Sequence, residues 1–118
     1  MESIIRFDRE FRLWLYNVSH SQLLLRSVKG RDHQTQVDVL FKRVFSICIP
    51  SNFNGLVVSE MSQEEFAKIN VSTGLRDAKW GRPFMVGGED WSGIIVAGYV
   101  GWLESQAEYY DQSGLMTT

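Results

Sequence analysis

The feature that most constrains this chain is the stretch from residue 23 to residue 49. There Leu23, Leu24 and Leu25 lead into Arg26 and Ser27, and a long alternating run then carries Asp38 and Lys42. Alternation with a period of two puts successive side chains on opposite faces of a strand. Val37, Val39, Phe41, Phe45, Ile47 and Ile49 therefore share one face, and Asp38, Leu40, Lys42, Val44 and Cys48 share the other. The first face reads as core and the second as mixed. The polar residues 29–34, with Gly30, separate the two apolar runs and suit a hairpin loop. A symmetric antiparallel register across that loop sets Arg26 opposite Asp38, Leu24 opposite Leu40 and Gln22 opposite Lys42.

The flanking sequence extends this pattern. Residues 10–19 alternate, with Phe11, Leu13 and Leu15 against Arg12, Trp14 and Tyr16, and read as a strand paired with residues 22–28 through a turn that carries His20 at its tip. After Pro50, Asn52, Asn54 and Gly55 a fourth strand is expected at 56–60. Ser62 with Glu65 three residues later forms a capping box, which opens one short helix over 62–69. Residues 70–81 show no period and read as a loop. Strands follow at 83–86 and 93–104, joined by a turn at 87–92 that reads as hairpin chemistry. In the second of these, Ile94, Val96 and Val100 face one way and Ile95, Ala97, Tyr99 and Leu103 the other, as in a strand buried on both faces, with glycines marking a bend or close packing. Residues 108–111 read as a last strand, or residues 102–110 as a helix, and the tail 113–118 as mobile. The expected fold is a single α+β domain over residues 1–118, mainly antiparallel, with about six or seven strands and one short helix near 62–69.

Composition narrows the class. Of 118 residues, 44% are hydrophobic and 22% charged, and 15 are aromatic (4 Trp, 4 Tyr, 7 Phe), which suits a well-filled β-rich domain rather than a disordered chain. A net charge of −2, with both signs interspersed, disfavours nucleic acid and anionic membranes as partners. The longest apolar passage, 94–103, falls short of the ~20 residues that span a bilayer, and the acidic start at Glu2, Asp8 and Glu10 does not resemble a secretory signal. A cytoplasmic location is the expectation. The lone Cys48 lies in an apolar run and reads as a buried, inert thiol.

No catalytic, metal or nucleotide motif stands out. Arg26 and Asp38 read first as a cross-strand ion pair, a sufficient structural reason for both. In the sharper reading Arg26 recognises a carboxylate or phosphate through its planar fork, with Asp38 orienting it and Lys42 sharing a polar cleft. His20 and His33 both lie in turns, and with one cysteine they match no zinc spacing, so neither metal nor cofactor is expected. Glu89 and Asp90 are adjacent turn residues, which cannot face each other across a cleft as a general acid and base would. Trp80, flanked by Arg76, Lys79 and Arg82, forms with Trp91 the candidate partner-binding surface, because Trp, Tyr and Arg dominate binding hot spots.

His20, Leu23, Leu24, Leu25, Arg26 and Ser27, followed by Thr35, Val37, Asp38, Val39, Leu40, Phe41, Lys42 and Val44, make the pattern H-x-x-L-L-L-R-S … T-x-V-D-V-L-F-K-x-V. It resembles small uncharacterised bacterial proteins, a resemblance that carries no activity. The expectation for function is a non-enzymatic protein-binding chain of the immunity-like or accessory kind, acting on another protein or on itself. The alternative is a small-ligand or enzyme domain built around Arg26, Asp38 and Lys42.

Overall fold

The computed structural model describes residues 3–69 and 81–116. Eight strands run as β1 (Ser3–Asn17), β2 (Gln22–Ser27), β3 (Gln36–Lys42), β4 (Ser46–Cys48), β5 (Asn52–Glu60), β6 (Arg82–Gly87), β7 (Ser92–Ala97) and β8 (Tyr99–Ser105), with helix α1 (Gln63–Ala67) between β5 and β6. They form one antiparallel sheet in the order β4-β7-β6-β5-β1-β2-β3-β8. The mainly antiparallel architecture with one short helix is as expected. The strand number rises to eight because each of the two long alternating runs breaks in the middle.

Both breaks lie at one corner. Arg43 takes a left-handed backbone conformation (φ 54), which ends β3, and Gly98 separates β7 from β8. The Gly98 amide donates to the carbonyls of Lys42 (2.9 Å) and Arg43 (3.1 Å), and the Phe45 amide donates to Val96 O at 2.8 Å. A Cβ at residue 98 would lie 3.1 Å from the Cβ of Arg43, so glycine permits this close approach. Since β3 pairs β8 and β4 pairs β7, the two ends of the strand order meet at this corner and the sheet curls around its core.

An irregular corner shifts the alternation by one residue. Val44, expected opposite Phe41, instead joins the inner core with it, while Phe45 and Ile47, expected in the core, are exposed. Likewise Val100 joins Ile95 and Ala97 inside, whereas Ile94 and Val96 pack on the outer side. Cys48 is also exposed, and not the buried thiol expected from its apolar neighbours.

The inner core draws on nearly every strand: Ile5 and Phe11 from β1, Leu23 and Leu25 from β2, Val37, Val39 and Phe41 from β3, Phe53, Leu56 and Val58 from β5, and Phe84 and Val86 from β6. Phe41 meets Phe84 edge-on at 5.7 Å. β5 begins four residues earlier than expected, because Gly55 at φ 77 carries the strand through the Asn54-Gly55 pair instead of ending it there.

The Ser62 and Glu65 capping box is present in both directions, Ser62 Oγ accepting from the Glu65 amide and Glu65 Oε1 from the Ser62 amide. The Ser62 amide bond, with the Ser62 hydroxyl beside it, holds the Glu65 carboxyl below the usual carboxylate range. The helix seats Phe66, fully buried, against Met61, Ile94 and Val96 on the outer side of β7. Residues 106–116 form turns, neither the last strand nor the helix considered from sequence. Within them Ser113 is buried and its carbonyl accepts from the Met116 amide.

Candidate functional site

The hairpin of β2 and β3 has the register read from the sequence, with Leu24 opposite Leu40 and Arg26 opposite Asp38. β1 and β8 extend it on either side: Leu15 pairs Leu24 and Leu40 pairs Gly101, while Arg12 pairs Arg26 and Asp38 pairs Leu103. Two cross-strand rows thus share the outer face, one apolar and one charged. Leu24, Arg26, Asp38 and Leu40 are all buried, so this face is covered.

The charged row is fully engaged. Arg26 Nε donates to Asp38 Oδ1 at 2.7 Å and Nη2 donates to Oδ2 at 3.1 Å, with the two side chains only 2% and 6% exposed. Nη1 donates to the carbonyl of Tyr109 at 2.7 Å, and the guanidinium carbon lies 5.3 Å from the centre of the Trp14 ring. This is a bidentate fork with its third side bonded to the C-terminal segment and its plane against an indole. Both oxygens of Asp38 and all three nitrogens of Arg26 are in use, so the pair braces the segment against the sheet.

Lys42 does not join them. It is four residues beyond Asp38 on the same strand, a separation of ~13 Å at the usual rise, and its ammonium lies 5.4 Å from the Tyr99 ring centre. Of the candidate partner surface, Arg76, Lys79 and Trp80 fall outside the described residues. Arg82 is bonded to Glu60 through Nε (3.1 Å) and Nη2 (2.6 Å) and lies over Phe84, holding the Glu60 carboxyl below its ordinary range. Trp91 packs on Phe53 at 4.4 Å and against the inner core. Arg82 and Trp91 thus serve packing contacts of their own.

Sequence reading passed over two features. Arg9 ties β1 to the ends of β2 and β3, donating to Ser27 Oγ (2.6 Å), Thr35 O (2.6 Å) and Ser27 O (3.3 Å). Burial lowers its pKa, against the nearby Glu104 carboxylate, which raises it. The only local signal was an arginine just ahead of the alternating run that begins at residue 10. The second is a groove of about 380 Å³ lined by Trp14, Leu15, Leu24 and Arg26 on the sheet and by Tyr109 and Tyr110 on the C-terminal segment, among others. Trp14 is 36% exposed, Tyr109 58% and Tyr110 71%, with the two tyrosines edge-on at 5.2 Å. No spacing rule links residue 14 to residue 110. On the other side of Trp14 and Arg26 a polar cleft of about 360 Å³ is bordered by Glu10, Arg12, Arg31, Asp32 and His33. Among the described residues no group of His, Cys, Asp and Glu is arranged to hold a metal ion, and no helix is long and apolar enough to cross a membrane.

Comparison with protein families, curated proteins and solved structures finds no match to this chain.

Proposed function

We propose that this chain is a non-enzymatic protein-binding module of the immunity-like or accessory kind, engaging its partner through the aromatic groove between Trp14 and Tyr110. One observation supports this reading: half-exposed Trp and Tyr rings border an apolar groove whose walls are fixed by the buried Arg26–Asp38 fork. Rings of this kind give large contact area at low entropic cost and recur as anchors at the centres of interfaces. The groove's size and lining suit one aromatic or branched aliphatic side chain of a partner, with the polar cleft beyond Trp14 as a charged rim.

The test begins with affinity capture from the source cell, followed by calorimetry with the purified partner. Trp14→Ala and Tyr110→Ala are expected to weaken binding about tenfold or more each, as hot-spot truncations do, while Ile47→Ala, on a distant exposed strand, leaves it unchanged. A partner held equally well by all three variants overturns the reading.

The alternative, a small-ligand or enzyme site, draws on the polar cleft that Arg26 helps to line. Neither Asp38 nor Lys42 borders that cleft, and Arg26 presents to it a guanidinium already bonded on every nitrogen. It therefore has less support than the groove.

A further inference from the structure

Residues 106–116 cover the outer face of β2 in an unusual way. They add no strand to the sheet, and none of them belongs to either hydrophobic cluster. The hydrogen bonds and ion pair that attach them to the sheet and its loop are few: Arg26 to the Tyr109 carbonyl, Lys29 Nζ to the Gln106 carbonyl at 2.8 Å, the same ammonium to Glu108 Oε1 at 2.6 Å, and the Ala107 amide to Ser105 Oγ at 3.2 Å. Gly114 meets Leu103 at the far end.

Apart from Leu24 and Leu40, which are buried, what lies on this face gains little from being covered. Removing an ion pair from water offsets much of its mutual attraction, and uncovering Arg26 and Asp38 returns that hydration. Gln22 Oε1 and both amide atoms of Gln36 are also buried on this face, without a partner among the described residues, and water satisfies such atoms once it reaches them. The closed position therefore depends on a small set of bonds and on the cover of Leu24, with no residue of the segment built into a core cluster, which is the condition for a segment to open well below the cost of global unfolding.

We propose that residues 106–116 are a releasable strap, which swings away from the outer face of β2 and β3 as a unit while the sheet stays folded. In the closed state Tyr109 and Tyr110 form one wall of the groove. In the open state Leu24 is exposed beside Leu15, which is already 42% exposed, so a partner selects between a narrow groove and a broader apolar strip. The use of the strap rests on the groove reading above; its motion does not.

Thiol labelling separates the two. In a Cys48→Ser background, Leu24→Cys reports the outer face beneath the strap and Leu25→Cys reports the inner core one residue away. Under native conditions the first is expected to label about tenfold or more faster than the second, with little dependence on urea, as a local opening requires. Lys29→Ala is expected to speed the first several-fold and leave the second unchanged. Equal rates with equal urea dependence overturn the proposal, because they mean that only global unfolding exposes the face. The unsubstituted chain gives a second reading: chymotrypsin is expected to cut at Tyr109 or Tyr110 at a rate insensitive to low urea, leaving the sheet intact. Cutting that follows global unfolding counts against the strap. A strap that opens without any groove-binding partner leaves the inference standing and removes only the proposed function.

Discussion

Two outer faces of this sheet are covered, and they are covered by opposite means. On β7 the cover is α1, which carries its own capping box and seats Phe66 against Ile94, Val96 and Met61. On β2 and β3 it is an irregular C-terminal segment, held by the fork of Arg26 and Asp38 and by Lys29. The first cover gains from burying apolar area, so removing it exposes a surface that water disfavours. The second covers a buried ion pair beside Leu24, and its hold rests on directed bonds. The difference teaches that a buried arginine in a strand need not mark a ligand site; here its unused donors fasten another part of the chain.

The largest expected effect is on the charged side. Asp38→Ala leaves Arg26 buried without its carboxylate and should cost ~3–5 kcal/mol in urea unfolding, the usual penalty for breaking a buried pair. A variant as stable as the parent sinks the claim that the fork is buried. On the apolar side Phe66→Ala should cost ~3–4 kcal/mol through lost burial and a residual cavity, with emission from Trp14 unchanged when Trp80, Trp91 and Trp102 are replaced by Phe in both chains. If emission shifts strongly, the two covers are coupled and the contrast between them fails.

Some of this contrast was legible in the sequence. The β2 and β3 register followed from a polar loop of known length and from the wish of Arg26 and Asp38 to share a face, and the capping box followed from Ser62 and Glu65 alone. The corner was not legible. Arg43 adopts a left-handed conformation that any local rule assigns to glycine or asparagine, and so the parity of Val44, Phe45 and Ile47 came out reversed. The strap was hidden for another reason. Its contacts join residues 26 and 109, and 29 and 108, across most of the chain, and carbonyl acceptors such as that of Tyr109 leave no mark on residue identity. The groove, walled by both regions, was invisible with it.

Smaller effects sharpen the comparison. Ser62→Ala removes one half of the capping box and should cost ~1 kcal/mol, measured by the shift in urea midpoint. The helix side should also respond to acid. Glu60 and Glu65 both have folded pKa values below the ordinary carboxylate value. A lowered folded pKa stabilises the fold above the unfolded value, and that contribution is lost as pH falls through the folded one. Thermal unfolding followed from neutral to acid pH should therefore fall less steeply in Arg82→Ala, which frees Glu60, than in the parent. An identical slope contradicts the Arg82 to Glu60 bond. The smallest effect is expected for Lys29→Ala, whose partly exposed pair with Glu108 should contribute at most ~1 kcal/mol, seen as a slight change in melting temperature alongside the faster labelling beneath the strap.

The most direct test of the account is a double-mutant cycle on Arg26 and Asp38 by urea unfolding, with Arg26→Met, Asp38→Leu and both together. If the pair is a structural brace, each single change destabilises strongly and the double variant recovers much of the loss, for an interaction energy of ~2–3 kcal/mol, near the top of the range for directly bonded neighbours. Additive effects with no interaction energy, or single variants that unfold like the parent, would show that Arg26 and Asp38 are not holding each other and would return them to the role of an open ligand site.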